Sequence, residues 1–483
     1  MKLSLGFLIA AATSASAHTQ IHVQVNPVAD LVYQLDCVAG VELRCSSINY
    51  TTLWTKTFLR TGSQREGLRK WKVLRQKINE SVADGARPEF DLNSKFQIAS
   101  TQARSFEDYL TRLDLILTLK NKEAVREILQ LYWPSYERWW TREAGRIGKP
   151  IAAETARLLK SKSVQQRVDQ FRRFYQSQLP AGFTMTLTLH YRPLFVAEPG
   201  SGTQMDNYSR MEFHSKEKPS RLLDVVIHEL CHFLYRSGDE AKFQDLKTNF
   251  FQLDTVESVA AYSLLNETLA TVFGNGIYNH ETMAPTEWAV YASNENSFYT
   301  DPTIDKAAKA LLPFMEKYLE EDGTLYGGKF PEKYISILKG ALADSLSAPI
   351  NILREIAMVT DFEPASEISD DIIRYLQPSA IHGTGPNLDD KGTFEYYGKN
   401  RQVSALLVVH PENLRKLLNN QILEEKQFRE IASKRAPFLF SFRRSPSAYT
   451  IVLVASDRNQ LKSELDRLAR MPKEFDGFSA KTP

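Results

Sequence analysis

Apolar residues recur every three to four positions through most of residues 50–160, and that spacing predicts helices. The segment SFEDYLTRLDLILTLKNKEAVREILQLYWPSYERWWTREAG reads as two of them, broken at Pro134. Trp139 and Trp140 are expected to fill a core, since aromatic rings chiefly supply buried area. The period then drops to two. In GFTMTLTLHYRPLFV, Met185, Leu187 and Leu189 alternate with Thr184, Thr186 and Thr188, the pattern of a half-buried strand. NYSRMEFHS at 207–215 alternates again. Residues 222–238, LLDVVIHELCHFLYRSG, predict a helix that is apolar nearly all round, with Ser220 as the expected N-cap and Gly238 as the expected stop. Further helices are predicted at 240–252, 254–274, 304–320, 331–346 and 349–358. A stretch rich in Gly, Asp and Asn at 382–402 marks a boundary. Beyond it the buried-strand runs VSALLVVHP and SAYTIVLVAS alternate with helical ones, which predicts a small α/β unit.

The expected fold is therefore α+β and predominantly helical. A mostly helical N-terminal region is expected at 18–178, a catalytic unit built of a small sheet plus the oily helix at 179–380, and a small α/β C-terminal domain at 381–483. The length of 483 residues suits two or three domains. Within the first region, Ile21 to Cys45 reads as extended and turn-like. The long helical block ahead of the oily helix also raises the hypothesis of an inhibitory pro-segment.

Composition adds little to this picture, but the N-terminus adds much. MKLSLGFLIAAATSASA has Lys2, an apolar run and the ending Ala15-Ser16-Ala17, so residues 1–17 read as a signal peptide and export is expected, periplasmic or secreted. No other apolar run is long enough to span a bilayer, so stable membrane insertion is not expected. A net charge of +2 offers no electrostatic case for nucleic acid as a partner. Cys37 and Cys45 are close enough in sequence for a small disulfide loop in an oxidising compartment, while Cys231 reads as a buried apolar residue.

The chemistry lies in the oily helix. His228 and His232 are four apart, so their imidazoles project from one face, one turn apart, and converge on one ion. Glu229 reaches a water on that ion without ligating it. This is the H-E-x-x-H pattern of two zinc ligands and a general base. Satisfied core histidines are the alternative, but three titratable groups in so apolar a helix call for a partner. A catalytic zinc needs a third protein ligand, and FLYRSGDEAK after His232 holds no further His. Two carboxylates downstream compete. Glu267 is flanked by Leu264, Leu265, Leu269, Ala270 and Phe273, and a buried unpaired carboxylate is costly where a zinc-bound one is not. Glu257, ten residues earlier, has less uniformly apolar surroundings.

HELCH followed downstream by NETLA resembles the gluzincin metallopeptidases, which pair HExxH with an NExxA- or NExxS-type helix. The resemblance covers roughly residues 180–320 and implies a zincin-like catalytic domain with one Zn2+. It further implies His228, His232 and Glu267 as ligands and Glu229 as general base. The 34 residues between His232 and Glu267 exceed the gap in the thermolysin-like and aminopeptidase branches. SFYTDPTIDKAAKALLPFMEKYL is similar to a segment of uncharacterised bacterial HExxH proteins. An oxyanion helper is then expected, and Tyr299, which opens that segment, is the candidate, with Tyr278, His280 and His214 as other choices. The strand at 184–190 is a candidate edge for an extended peptide.

The expected function is an exported zinc metallopeptidase acting on a peptide or protein. The alternatives are a non-catalytic exported metal-binding or partner-binding protein, and a zinc amidase of non-peptide substrates, because HExxH reports mechanism and not substrate. GTGPN and GSGT sit in no strand–loop–helix phosphate motif, NLDDKG lacks calcium-loop spacing, and no G-x-S-x-G elbow is present.

Overall fold

The computed structural model describes residues 20–43, 45–80, 92–179, 183–198, 200–253, 255–384, 388 and 394–478. The expected signal peptide and most of NLDDKG lie outside them. Two sheets are set among helices, and helix predominates. The first sheet comprises β1 (Gln20–Gln24), β2 (Thr184–Tyr191), β3 (Gly202–Met205) and β4 (Tyr208–Phe213), in the order β1-β2-β4-β3. β1, β2 and β4 run parallel, and β3 returns antiparallel to β4 to end the sheet. β2 is thus an interior strand, and its edge is not open to a peptide as the alternation had suggested. The edge strands of this sheet are β1 and β3, the latter four residues too short to show a period.

The two faces of this sheet are covered differently. Met185, Leu187, Leu189, Met211 and Phe213 share the apolar face, which joins the main core with the helix Pro219–Arg236. His190, Arg210 and Glu212 lie on the other face, buried under the helix Pro27–Val38. There Tyr33 donates to Glu212 Oε1 at 2.8 Å, and Ser46 Oγ donates to Glu212 Oε2 at 2.6 Å. Asp36 holds Arg75 at 3.0 Å and Trp71 Nε1 at 2.8 Å. A buried charge layer of this kind persists only when its groups are paired and hydrogen-bonded. The N-terminal region is therefore built into the domain: β1 pairs with β2, and the helix that follows sits on the face opposite the histidines. That arrangement speaks against a detachable inhibitory pro-segment.

Three local expectations are corrected. Residues 21–45 hold a helix, Pro27–Val38, capped by Asn26, whose Oδ1 accepts from Val28 N and Ala29 N at 2.9 and 3.2 Å. Pro134 does not break its helix, which runs Leu119–Arg142, because Tyr132, Tyr136, Trp139 and Trp140 bury aromatic area on both sides of it. That burial outweighs a proline cost of about 3 kcal/mol. Cys37 and Cys45 are free thiols, within hydrogen-bonding reach of each other but unbonded, while Cys231 is fully buried as expected.

The second sheet comprises β5 (Glu355–Thr360), β6 (Ala380–Thr384), β7 (Ala405–Val409), β8 (Phe438–Ser445), β9 (Ala448–Val454) and β10 (Gly477–Phe478), ordered β10-β8-β9-β7-β5-β6. β7 and β9 are buried throughout, as strands covered on both faces require. The predicted helix at 349–358 is a short helix, Pro349–Ile352, followed by β5. A brief apolar run such as EIAMVT does not distinguish strand from buried helix by period. In β5, Ile356 and Met358 face the main core, and Ala357 and Val359 a second one under the far side of the sheet.

Candidate metal centre

The helix that carries HELCH starts one turn before the apolar run. Lys218 is its N-cap and Pro219 its first residue, a position where the missing N–H costs nothing, so Ser220 is inside the helix. Leu223, Val226, Ile227, Leu230 and Leu234 anchor it in the core. That leaves His228 and His232 on the face turned toward a second helix, Val256–Thr271. Its start is fixed by a capping box between Thr255 and Ser258.

Three side chains meet between these helices. His228 Nε2 lies 3.0 Å from Glu267 Oε1, His232 Nε2 lies 3.4 Å from Glu267 Oε2, and the two Nε2 atoms are 3.1 Å apart. A tetrahedral ion with ligands at about 2.0–2.1 Å spaces those ligands about 3.3 Å apart, so the trio already has the dimensions of one face of a zinc tetrahedron. His2Glu is also a donor set that a catalytic zinc accepts, with the fourth position open. The Glu267 side chain keeps 31% exposure, whereas both histidines are nearly buried, so the open side faces solvent past the carboxylate. Among the described residues, no other group of three His, Cys, Asp or Glu converges in this way. Glu257 does not take part. It sits 39% exposed, 4.0 Å from Lys339.

The outer nitrogens of both histidines are occupied. His232 Nδ1 is 3.1 Å from Asn266 Oδ1, and His228 Nδ1 is 3.2 Å from Asn275 Oδ1. An amide oxygen only accepts, so each Nδ1 carries a hydrogen and each Nε2 faces the shared point, where its lone pair would serve a bound ion. Neither asparagine was singled out from sequence. Asn266 adjoins Glu267 in NETLA, and Asn275 sits between two glycines in VFGNGIY, which reads as a helix end rather than a site.

His232 and Glu267 are strongly coupled. Burial works against a charged His232, yet the Glu267 carboxylate, its hydrogen bond and then Glu229 raise it to about 9. Burial likewise favours a neutral Glu267, but His232 and the bonds from both imidazoles outweigh it and hold the carboxyl well below the usual range. Glu229, buried beside the trio without ligating it, is pushed up by that burial, against the pull of the histidines.

Tyr299 is the one oxyanion candidate in contact with the cluster. Its ring lies parallel over His228, centroids 5.7 Å apart and planes 10° apart. Its loop is held by buried Asp305, which accepts from Phe298 N at 2.9 Å and Tyr299 N at 3.4 Å. His214 pairs with Glu217 at 3.0 Å, His280 pairs with Glu316 at 2.6 Å and stacks on Trp288, and Tyr278 ends the segment after the Glu267 helix. On the far side, Gly202 at the start of β3 packs against Glu229.

No family model, no curated protein and no solved structure matches this chain.

Proposed function

We propose that the chain is an exported, zinc-dependent metallopeptidase with a zincin-like catalytic domain and a gluzincin-like ligand set. The observation that carries the reading is the meeting of His228, His232 and Glu267 at 3.0–3.4 Å with Glu229 beside them as a non-ligand. A purely structural site has no use for that fourth group. When bound, zinc supplies a Lewis acid that lowers the pKa of a water and polarises a carbonyl. Glu229, its basicity raised by burial, takes the proton of the attacking water and hands it to the leaving amine. Tyr299 donates its hydroxyl to the developing oxyanion. A peptide substrate is supported by β3, which ends the sheet beside Glu229 and leaves one side of its backbone for an extended chain. The leader at 1–17 supports export, and among the described residues no helix is long and apolar enough to cross a membrane.

The test is zinc content of the purified mature protein, followed by cleavage of a peptide library. The reading expects about one zinc in wild type and in Glu257→Ala, and none in Glu267→Ala. Glu229→Gln should keep the metal and lose cleavage. A wild type without zinc overturns the reading. A zinc-loaded wild type that cleaves nothing moves the partner-binding alternative to the front.

A further inference from the structure

The helix that carries Glu267 does not continue as an α-helix. From Val272 to Tyr278 it is π-helical, a wider turn that bonds residue i to i+5. Such turns are rare and concentrate at functional sites. The change of pitch decides where Asn275 lands. Eight α-helical steps beyond Glu267 would carry position 275 about 80° round the axis. With the three steps from 272 to 275 advancing about 85° each, it falls within about 35° of Glu267 instead. Asn275 thus returns to the metal-facing side, with its Oδ1 3.2 Å from His228 Nδ1.

Close approach of the two helices is what closes that bond, and Gly274 permits it. A Cβ there would stand 2.8 Å from His228 N and 2.9 Å from His228 Cβ, and would overlap the Asp224 carbonyl oxygen. The segment therefore lies against the backbone of the ligand it serves. One helix supplies a ligand, Glu267, and the orienting partners of both others, Asn266 and Asn275. Both partners are neutral amides, so they fix the imidazoles without adding negative charge behind them.

We infer that Asn275 is the positioning residue for His228 and that the π-helical turn Val272–Tyr278 is what delivers it. The inference rests on the metal reading above. Partners of this kind change metal affinity about 10- to 100-fold when removed. Their effect is distinct from that of a hydrogen bond that merely holds the fold.

The experiment compares wild type, Asn275→Ala, Asn275→Asp and Asn279→Ala as full mature chains. Asn279 lies just past the same turn and bonds Asp224 at 3.0 Å, so its variant controls for a lost structural bond. Zinc affinity is read by competition with a chromophoric chelator. Ligand geometry is read from the visible spectrum of the cobalt(II)-substituted protein. The expected result is a 10- to 100-fold weaker zinc affinity and an altered cobalt spectrum for Asn275→Ala, in keeping with the loss of an outer-shell partner. Asn275→Asp should restore both, and Asn279→Ala should leave both near wild type. Equal loss in Asn275→Ala and Asn279→Ala would assign the effect to the fold and overturn the inference. So would a zinc-binding wild type whose affinity Asn275→Ala leaves unchanged. A wild type that takes up no metal removes the metal reading itself, and the inference with it.

Discussion

Gly202 lies flat against the Glu229 carboxylate. A methyl on its α-carbon would overlap Oε1 and stand 3.1 Å from Cδ. The first residue of the edge strand is therefore the wall that sets where the Glu229 carboxylate, the proposed general base, points. On the proposed mechanism, Gly202→Ala should turn Glu229 away from the attacking water while leaving the three proposed ligands untouched. The expected outcome is unchanged zinc content with a fall in kcat of about 10-fold or more, since small misplacements of a catalytic group are costly. Zinc analysis and steady-state peptide hydrolysis on the same sample check it. A parallel loss of zinc would show that the strand supports the ligands instead.

The coupling of His232 to Glu267 gives zinc binding a pH dependence. In the metal-free protein His232 is raised to about 9, so below that pH an incoming cation must displace its proton. Zinc affinity should rise about tenfold per pH unit from 6.5 toward 9 and level off above. Stability of the metal-free protein runs the other way. A histidine whose folded pKa exceeds its unfolded value of about 6.5 contributes fully below 6.5 and loses that contribution as pH rises through 9. Urea midpoints should therefore fall over that window without zinc, reflecting a loss on the order of 3 kcal/mol of stability, and stay flatter with it. Midpoints that fall equally in both states would place the proton elsewhere.

The parts legible in the sequence were those with strong local signatures. The two histidines of HELCH are four apart on one helix, and Glu267 is embedded among leucines, so the two helices whose side chains converge were legible from period and burial. Tyr299 was a candidate only from its position in its segment, and its contact with His228 was not legible there. Long-range features were not legible. β1 pairs Val23 with Leu187 across more than 160 residues, and nothing local to QIHVQ announces a partner. Asn275 depends on a change of helical pitch, which VFGNGIY hides because its two glycines read as a stop. The proline in the Leu119–Arg142 helix misled for the opposite reason: its local rule was sound but was overridden by aromatic burial.

Asp224, one turn before His228, carries strain that a substitution should relieve. Burial raises its carboxyl to about 6, even though Asn279 and Val225 N donate to it at 3.0 and 2.7 Å. A carboxyl with a folded pKa above the unfolded value of about 3.9 binds its proton more tightly when folded, so wild-type stability falls as pH rises from 4 through 6. Asp224→Asn removes that ionisation but can accept only one of the two bonds with its single oxygen. The variant should be more stable than wild type at pH 7 by about 1–2 kcal/mol and less pH-dependent between 4 and 7. Denaturant titrations at pH 4.5 and 7 measure both. Equal slopes for the two proteins would locate the ionisation in another group.

Tyr299 separates ring from hydroxyl. Its parallel contact with His228 is made by the ring alone, so Tyr299→Phe should keep the stack, the zinc and the loop held by Asp305. If the hydroxyl binds the oxyanion, it acts in the transition state and not on the bound substrate. The expected change is a fall in kcat of about 100-fold with KM nearly unchanged. Tyr299→Ala should add a second defect, weaker metal binding, because His228 then loses its cover as well as its neighbour's hydroxyl. Measuring kcat, KM and zinc affinity on both variants distinguishes the roles. A Tyr299→Phe variant with normal kcat would reduce Tyr299 to a packing partner of His228 and leave the oxyanion to another donor.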